Sequence, residues 1–118
     1  MIEVPITLNG TTPSAAINLV GHTIMRIVLP TTWTDSGLGL LESLRSDGTF
    51  RTVYTDEGEA ITFVGSTGNR VIRVDERIMQ HARFAKLYSL NSQGGAREVI
   101  VQVVSLKEVI NGTGLSGG

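Results

Sequence analysis

Residues 22–54 constrain the fold of this chain most strongly, because short apolar runs alternate there with turn residues. An apolar run over residues 22–29 stops at Pro30, and a second run covers residues 38–44. The pair Asp47-Gly48 then gives a strong signal for a tight β-hairpin. The segment therefore indicates strand, corner, strand, turn and strand, which is the pattern of an all-β protein.

The rest of the chain has the same organisation. Short strand-like segments, several with strict alternation of apolar and polar residues, are separated by Gly, Asp and Asn turns. They cover residues 2–8, 15–19, 50–54, 60–64, 70–74, 84–89 and 99–104. We therefore predict an all-β chain folded as an antiparallel β-sandwich or barrel with about eight strands and short turns.

Three local expectations follow from the pattern. Residues 22–29 carry apolar side chains at both odd and even positions, which predicts a strand covered on both faces. Residues 75–81 could form a single helical turn with Asp75 as its N-cap. The Gly-rich residues 92–96 are expected to be a flexible loop.

The termini divide from the centre by composition. Pro5 cannot donate a ladder hydrogen bond, so residues 1–10 are expected to form an edge strand or an arm. Residues 11–104 form the predicted β-sandwich domain. Residues 105–118 end in a Gly/Ser-rich sequence and are predicted to be a C-terminal tail.

The composition argues against several classes of function. The chain has 118 residues, a net charge of −1 and no cysteine. No basic excess favours nucleic acid, and no apolar run approaches the roughly 20 residues that span a bilayer. Residues 1–5 lack the features of a signal peptide. We expect no nucleic-acid partner, no membrane partner and synthesis in a cytoplasm.

Catalytic and metal chemistry find little support in the sequence. His22 and His81 are the only histidines, and neither stands in a nucleophile pattern, so a structural role is expected for both. The acidic turns around Asp35, Asp47 and residues 56–59 lack the regular spacing of a calcium loop. We expect no enzyme activity, no cofactor and no metal site.

Trp33 is the one aromatic residue that could serve as a platform for a sugar. It stands among threonines after Pro30, and sugar sites use exposed aromatic rings with polar neighbours. The favoured alternative is a Trp that covers the open end of the sandwich.

The order of these segments resembles small virion proteins of tailed bacteriophages. The resemblance covers residues 11–104 and rests on Thr32-Trp33-Thr34, on Ser46-Asp47-Gly48-Thr49-Phe50 and on residues 83–89. One departure is the apolar stretch at residues 40–44, where such proteins are usually rich in Gln and Ser.

The resemblance implies a jelly-roll-like sandwich and a structural role. Such a protein would bind the outer capsid surface and stabilise or decorate the phage head without catalysis. Its partners would be the major capsid protein and copies of itself, with a trimer favoured, and its location would be the capsid surface of the virion. The alternative is a head or tail appendage, or a carbohydrate-binding β-sandwich for attachment to the host surface.

Candidate interface residues lie in the two terminal segments. The alternating apolar residues of the first strand could add a strand to a neighbouring subunit. A second apolar pair in the tail could dock on a partner. The candidates are Ile2, Val4, Ile6, Leu8, Val109 and Ile110.

Overall fold

The computed structural model describes residues 1–64, 67–75 and 82–107 of the chain. These residues form nine β-strands, which confirms the predicted all-β class. The strands are β1 (Ile2–Gly10), β2 (Ile17–Asn18), β3 (His22–Val28), β4 (Leu38–Ser43), β5 (Arg51–Thr52), β6 (Thr62–Phe63), β7 (Val71–Arg73), β8 (Phe84–Ser89) and β9 (Gln93–Ser105).

The strands form two antiparallel sheets that pack as a sandwich. The four-stranded sheet has the order β1-β9-β3-β7. The five-stranded sheet has the order β2-β8-β4-β5, and β6 pairs with β4 beside it. One side of the sandwich therefore carries the edge strands β1 and β2.

The strand pairs are those of one long hairpin wrapped into two layers. The chain turns after β4, and on either side of this turn β3 pairs with β7, β2 with β8 and β1 with β9. Wrapping the hairpin brings β9 beside β3 and β8 beside β4. This is the connectivity of a jelly roll, with β6 as an addition.

The core between the sheets follows from the period-two alternation. On β9 the alternate residues Val99, Val101 and Val103 face inward, and on β8 Ala85 and Leu87 do the same. Full burial of one such side chain stabilises the fold by about 1.5–3 kcal/mol. The apolar alternation that indicated strands therefore also selects the face of each strand that meets the core.

The expectation that β3 is covered on both faces is wrong. The register on β9 shifts between Ile24 and Arg26, so Met25 is the extra residue of a β-bulge and is 37% exposed. A bulge reverses the phase of the alternation. Ile24 and Ile27 therefore both face the core, although they are three positions apart in the sequence.

The expectation of a flexible loop at residues 92–96 is also wrong. β9 already begins at Gln93, which is 3% exposed. The side-chain amide of Gln93 forms hydrogen bonds with the backbone N–H and carbonyl of Thr34, at 2.7 and 2.8 Å. These bonds tie the start of β9 to the backbone at Thr34.

Two further expectations concerned residues 1–10 and residues 75–81. Residues 1–10 contain β1, which pairs along its length with β9 of the same chain and forms the edge of the four-stranded sheet. The predicted helical turn at residues 75–81 lies, apart from Asp75, outside the described residues.

Candidate interaction surfaces

An apolar groove lies where the edge strands β1 and β2 approach each other. Its volume is about 350 Å³. Ile2 and Val20 on its rim are 54% and 48% exposed. The other lining residues are Val4, Ala16, Ile17, Asn18, His22 and Val103. We call this feature the edge groove.

The structure separates the candidate interface residues of β1 into two pairs. Ile2 is exposed and Val4 is half-buried, and both line the edge groove. Ile6 and Leu8 are 5% and 0% exposed and belong to the core of this chain, so they offer no surface to a neighbour. The tail candidates Val109 and Ile110 lie outside the described residues.

Trp33 is buried and cannot present its ring as a sugar platform. Its side chain is 4% exposed and packs in the core cluster. The indole Nε1–H donates a hydrogen bond to the carbonyl of Ser36 at 3.2 Å, which satisfies its single donor. The hypothesis that Trp33 forms a platform for a sugar is therefore wrong, and the role of this residue is structural.

A buried polar network holds the Trp33 corner against the turn between β8 and β9. Ser36, Ser89 and Gln93 are each at most 3% exposed. The hydroxyl of Ser36 accepts from the backbone N–H of Asn91 at 2.8 Å, and Gln93 donates to Ser89 at 3.1 Å. Because these polar groups have partners, the network stabilises the corner and leaves no reactive group exposed.

The outer face of the four-stranded sheet carries an apolar row that crosses all four strands. The register places Pro5 opposite Ile100, Ile100 opposite Val28, and Val28 opposite Val71. Val71 is 56% exposed, Pro5 is exposed, and the two central residues are half-buried. We call these four residues the apolar row.

A charged row runs beside the apolar row on the same face. The register places Glu3 opposite Gln102, Gln102 opposite Arg26, and Arg26 opposite Arg73. The Gln102 amide donates to Oε2 of Glu3 at 3.1 Å. The acidic end of this charged row therefore lies at β1, and its basic end lies at β3 and β7.

A smaller cavity adjoins the basic end of the charged row. It has a volume of about 220 Å³ at the bulge of β3 and is lined partly by Met25, Arg26 and Arg73. Thr23 also lines it, and the Oγ1 atom of this residue is buried without a hydrogen-bond partner. The remaining lining residues, Ile24, Val74 and Val104, are apolar.

The outer face of the five-stranded sheet is arranged differently. Lys86 places its Nζ 4.5 Å from the centre of the Phe50 ring, a cation–π contact. The ring of Tyr88 covers Gly39, its partner on β4, so closely that a Cβ there would overlap the ring. Lys86 and Tyr88 on this face thus pack against other residues of the same chain.

Titratable groups give no sign of a reaction centre in the described residues. His22 donates through Nδ1 to the carbonyl of Val20 at 2.9 Å, which is a local structural contact. Burial raises the pKa of Glu42, which lies on the core side of β4 and opposite Arg51 of β5 in the strand register. His81 lies outside the described residues.

Residues 1–64, 67–75 and 82–107 contain neither a metal-binding cluster nor a helix that could span a membrane. No cluster of three or more His, Cys, Asp or Glu residues is arranged to hold a metal ion. No helix within these ranges has the length and apolar character needed to cross a membrane.

The fold and surfaces define a class, an antiparallel β-sandwich with jelly-roll connectivity and uncovered apolar surface. Comparisons of this chain with protein-family models, with curated protein sequences and with solved structures give no match.

Sequence reasoning located one part of the edge groove and missed both rows on the outer face. Ile2 and Val4 were found because they alternate with polar residues on a terminal strand. The apolar row joins positions 5, 28, 71 and 100, and only the pairing register shows that they are neighbours. The alternation on each strand indicates which side chains face outward, but it does not indicate which strand lies beside it.

Proposed function

We propose that this chain is a non-enzymatic structural protein of a tailed-bacteriophage virion. In this role it binds the outer capsid surface, associates with copies of itself, and stabilises or decorates the head. Two lines of support meet here: the segment pattern of residues 11–104 resembles such proteins, and the jelly-roll sandwich is the fold that this resemblance implies.

The edge groove is the observation that carries the proposal. β1 pairs with β9 on one side only, so its outer edge retains backbone groups that a partner strand can bind. Ile2 and Val20 add exposed apolar surface beside that edge. An extended segment of the major capsid protein can pair with the edge and bury these side chains in one contact.

The position of Pro5 agrees with pairing of a partner strand at the free edge of β1. A free sheet edge risks indiscriminate pairing, and proline on an edge strand limits it because proline has no N–H to donate. Pro5 lies at the middle of β1, while Ile2 and Val4 lie near its start. The partner is therefore expected to pair with the first part of β1.

Co-sedimentation with empty capsid shells tests this function. The purified full chain is incubated with shells of the phage that encodes it and pelleted. We expect the unaltered chain to pellet with the shells, and the double variant Ile2→Asp/Val20→Asp to remain in the supernatant.

A matched variant separates loss of the groove from loss of apolar surface in general. Leu44 is 77% exposed, directly follows β4 and does not line the edge groove, so Leu44→Asp should pellet like the unaltered chain. Circular dichroism checks that each variant is folded. Failure of the unaltered chain to bind any shell, or full binding by the groove variant, would reject the proposal.

The second candidate is an appendage that binds host-surface carbohydrate. The observation that favours it is the exposed aromatic side chain of Tyr54, which is 61% exposed shortly after β5. Glycan-array binding that is lost with Tyr54→Ala, together with no binding to shells, would favour this candidate. Trp33→Ala is unsuitable as the test variant because that side chain is part of the core.

A further inference from the structure

The charged row contains a pair of opposed like charges that no described residue compensates. Arg26 and Arg73 lie directly opposite each other on β3 and β7. Like charges in directly opposed positions destabilise a sheet. Within the described residues, neither arginine forms an ion pair. A carboxylate from outside the chain would turn this repulsion into attraction.

The same row offers such a carboxylate at its other end. Glu3 lies on β1, at the opposite edge of the four-stranded sheet from Arg73 on β7. Its Oε2 accepts one hydrogen bond, from Gln102. A carboxylate has room for further donors, and an arginine can bind it through two parallel N–H groups. The row is thus acidic at one end and basic at the other.

A two-fold axis makes this pattern complementary to itself. We place this axis in the plane between the two facing copies. It runs parallel to the strands and passes midway between β9 and β3. It then places Glu3 opposite Arg73 of the second copy, and Gln102 opposite Arg26 of the second copy. Each copy supplies one acidic and one basic end, so the ionic contact forms twice.

The apolar row matches under the same operation. Pro5 then faces Val71 of the second copy, and Ile100 faces Val28 of the second copy. The strands of the two copies stay roughly aligned, which is one of the two common geometries for packed sheets, at a separation of about 10 Å. A two-fold axis across the strands would instead place the charged row against the apolar row.

We propose that the outer face of the four-stranded sheet is a two-fold interface with a second copy of this chain. Residues of the apolar row form its centre, and the two Glu3–Arg73 contacts fix its register. A surface that is complementary to itself gives a closed dimer, whereas a trimer needs two different patches. The resemblance favours a trimer, and that stays a prediction. The two-fold interface proposed for this face would give an assembly with an even number of copies.

Charge reversal tests the register directly, with sedimentation velocity on the full chain as the measurement. Glu3→Arg places arginine against arginine at both contacts, and Arg73→Glu places glutamate against glutamate. Each single variant should weaken dimerisation by about ten-fold or more. The double variant Glu3→Arg/Arg73→Glu restores opposite charges and should dimerise within about three-fold of the unaltered chain.

The same measurement includes a control and has outcomes that would overturn the proposal. Glu57→Arg reverses an exposed charge in the turn after β5, and it should leave dimerisation unchanged. A monomeric unaltered chain would overturn the proposal, and so would a double variant as weak as the two single ones. If Arg73→Glu abolished shell binding without affecting self-association, the face would bind an acidic partner instead. Because dimerisation is measured without capsid, its failure is distinct from failure of the proposed function.

Discussion

The two outer faces of the sandwich use their large side chains in opposite ways. On the five-stranded sheet, Lys86 lies over Phe50 and Tyr88 lies over Gly39, so these side chains find partners within the chain. On the four-stranded sheet, Arg26 and Arg73 oppose each other beside an exposed Val71. Exposure alone therefore does not identify an interface. A pair of opposed like charges that no described residue compensates is a stronger indication of an interface.

The largest effect is expected where the five-stranded face is packed most closely. Gly39→Ala adds a Cβ that overlaps the ring of Tyr88, and the half-buried ring must move. Overpacking of this kind lowers the free energy of unfolding by about 1–3 kcal/mol. Urea denaturation of the variant measures the loss.

A double-mutant cycle shows whether the ring is the cause. In the background Tyr88→Ala, the substitution Gly39→Ala should become neutral or stabilising, because alanine loses less backbone entropy than glycine on folding. Gly94→Ala is the matched control, since the nearest atom to its added Cβ is Nη2 of Arg97 at an ordinary 3.6 Å. An equal loss in both backgrounds would contradict the proposed contact.

The second prediction removes the cation–π contact on the same face. Lys86→Ala should lower the free energy of unfolding by about 0.5–1 kcal/mol, the range for such contacts near the surface. Lys86→Arg keeps a cation over the Phe50 ring and should retain most of the stability. If alanine and arginine gave the same denaturation midpoint, the contact would have no energetic role.

The third prediction has the opposite sign and concerns the other face. Arg73→Gln removes one of two opposed charges, so it should raise the free energy of unfolding of the monomer by about 0.2–1 kcal/mol. The measurement is made at concentrations where the chain is monomeric. The same variant should weaken self-association. Lower monomer stability would show that Arg73 is already satisfied within the chain, and the contrast between the faces would disappear.

Much of the fold was predictable because alternation reports burial on a strand. The segments that became β1 and β8 were identified in this way, whereas β3 and β4 were predicted from apolar runs bounded by turn residues. Asp47 and Gly48 lie in the connection between β4 and β5, which is longer than the tight hairpin that was predicted. The bulge at Met25 was not predictable, because a bulge is defined by its partner strand. The start of β9 was missed since Gln93 is held by hydrogen bonds to Thr34, far away in the sequence.

The candidate surfaces were less predictable than the fold, for a related reason. Ile2 and Val4 could be suggested as interface residues from one strand alone. Ile6 and Leu8 have the same alternation, and only the opposite sheet determines that they are covered. The pairing of Glu3 with Gln102 joins residues at the two ends of the described chain, so no local pattern could indicate the charged row.

The smallest predicted effect concerns Glu42, the one acid on the core side of the five-stranded sheet. Burial raises its pKa above the ordinary 4.5, because the charged form loses hydration. The folded chain then holds this proton more tightly than the unfolded chain. Stability from this group is therefore present at low pH and is lost as the pH rises from the unfolded pKa through the raised folded pKa.

Glu42→Gln removes this dependence without removing the side chain's bulk. The variant should have a slightly higher melting temperature than the unaltered chain at neutral pH, and the two should converge as the pH falls below the ordinary pKa of glutamate. Melting temperatures across the acidic range measure the difference. A variant less stable than the unaltered chain at neutral pH would mean that the Glu42 carboxylate is stabilised in the folded chain. Its position would then resemble the satisfied contacts of Lys86 and Tyr88 on the outer side of the same sheet.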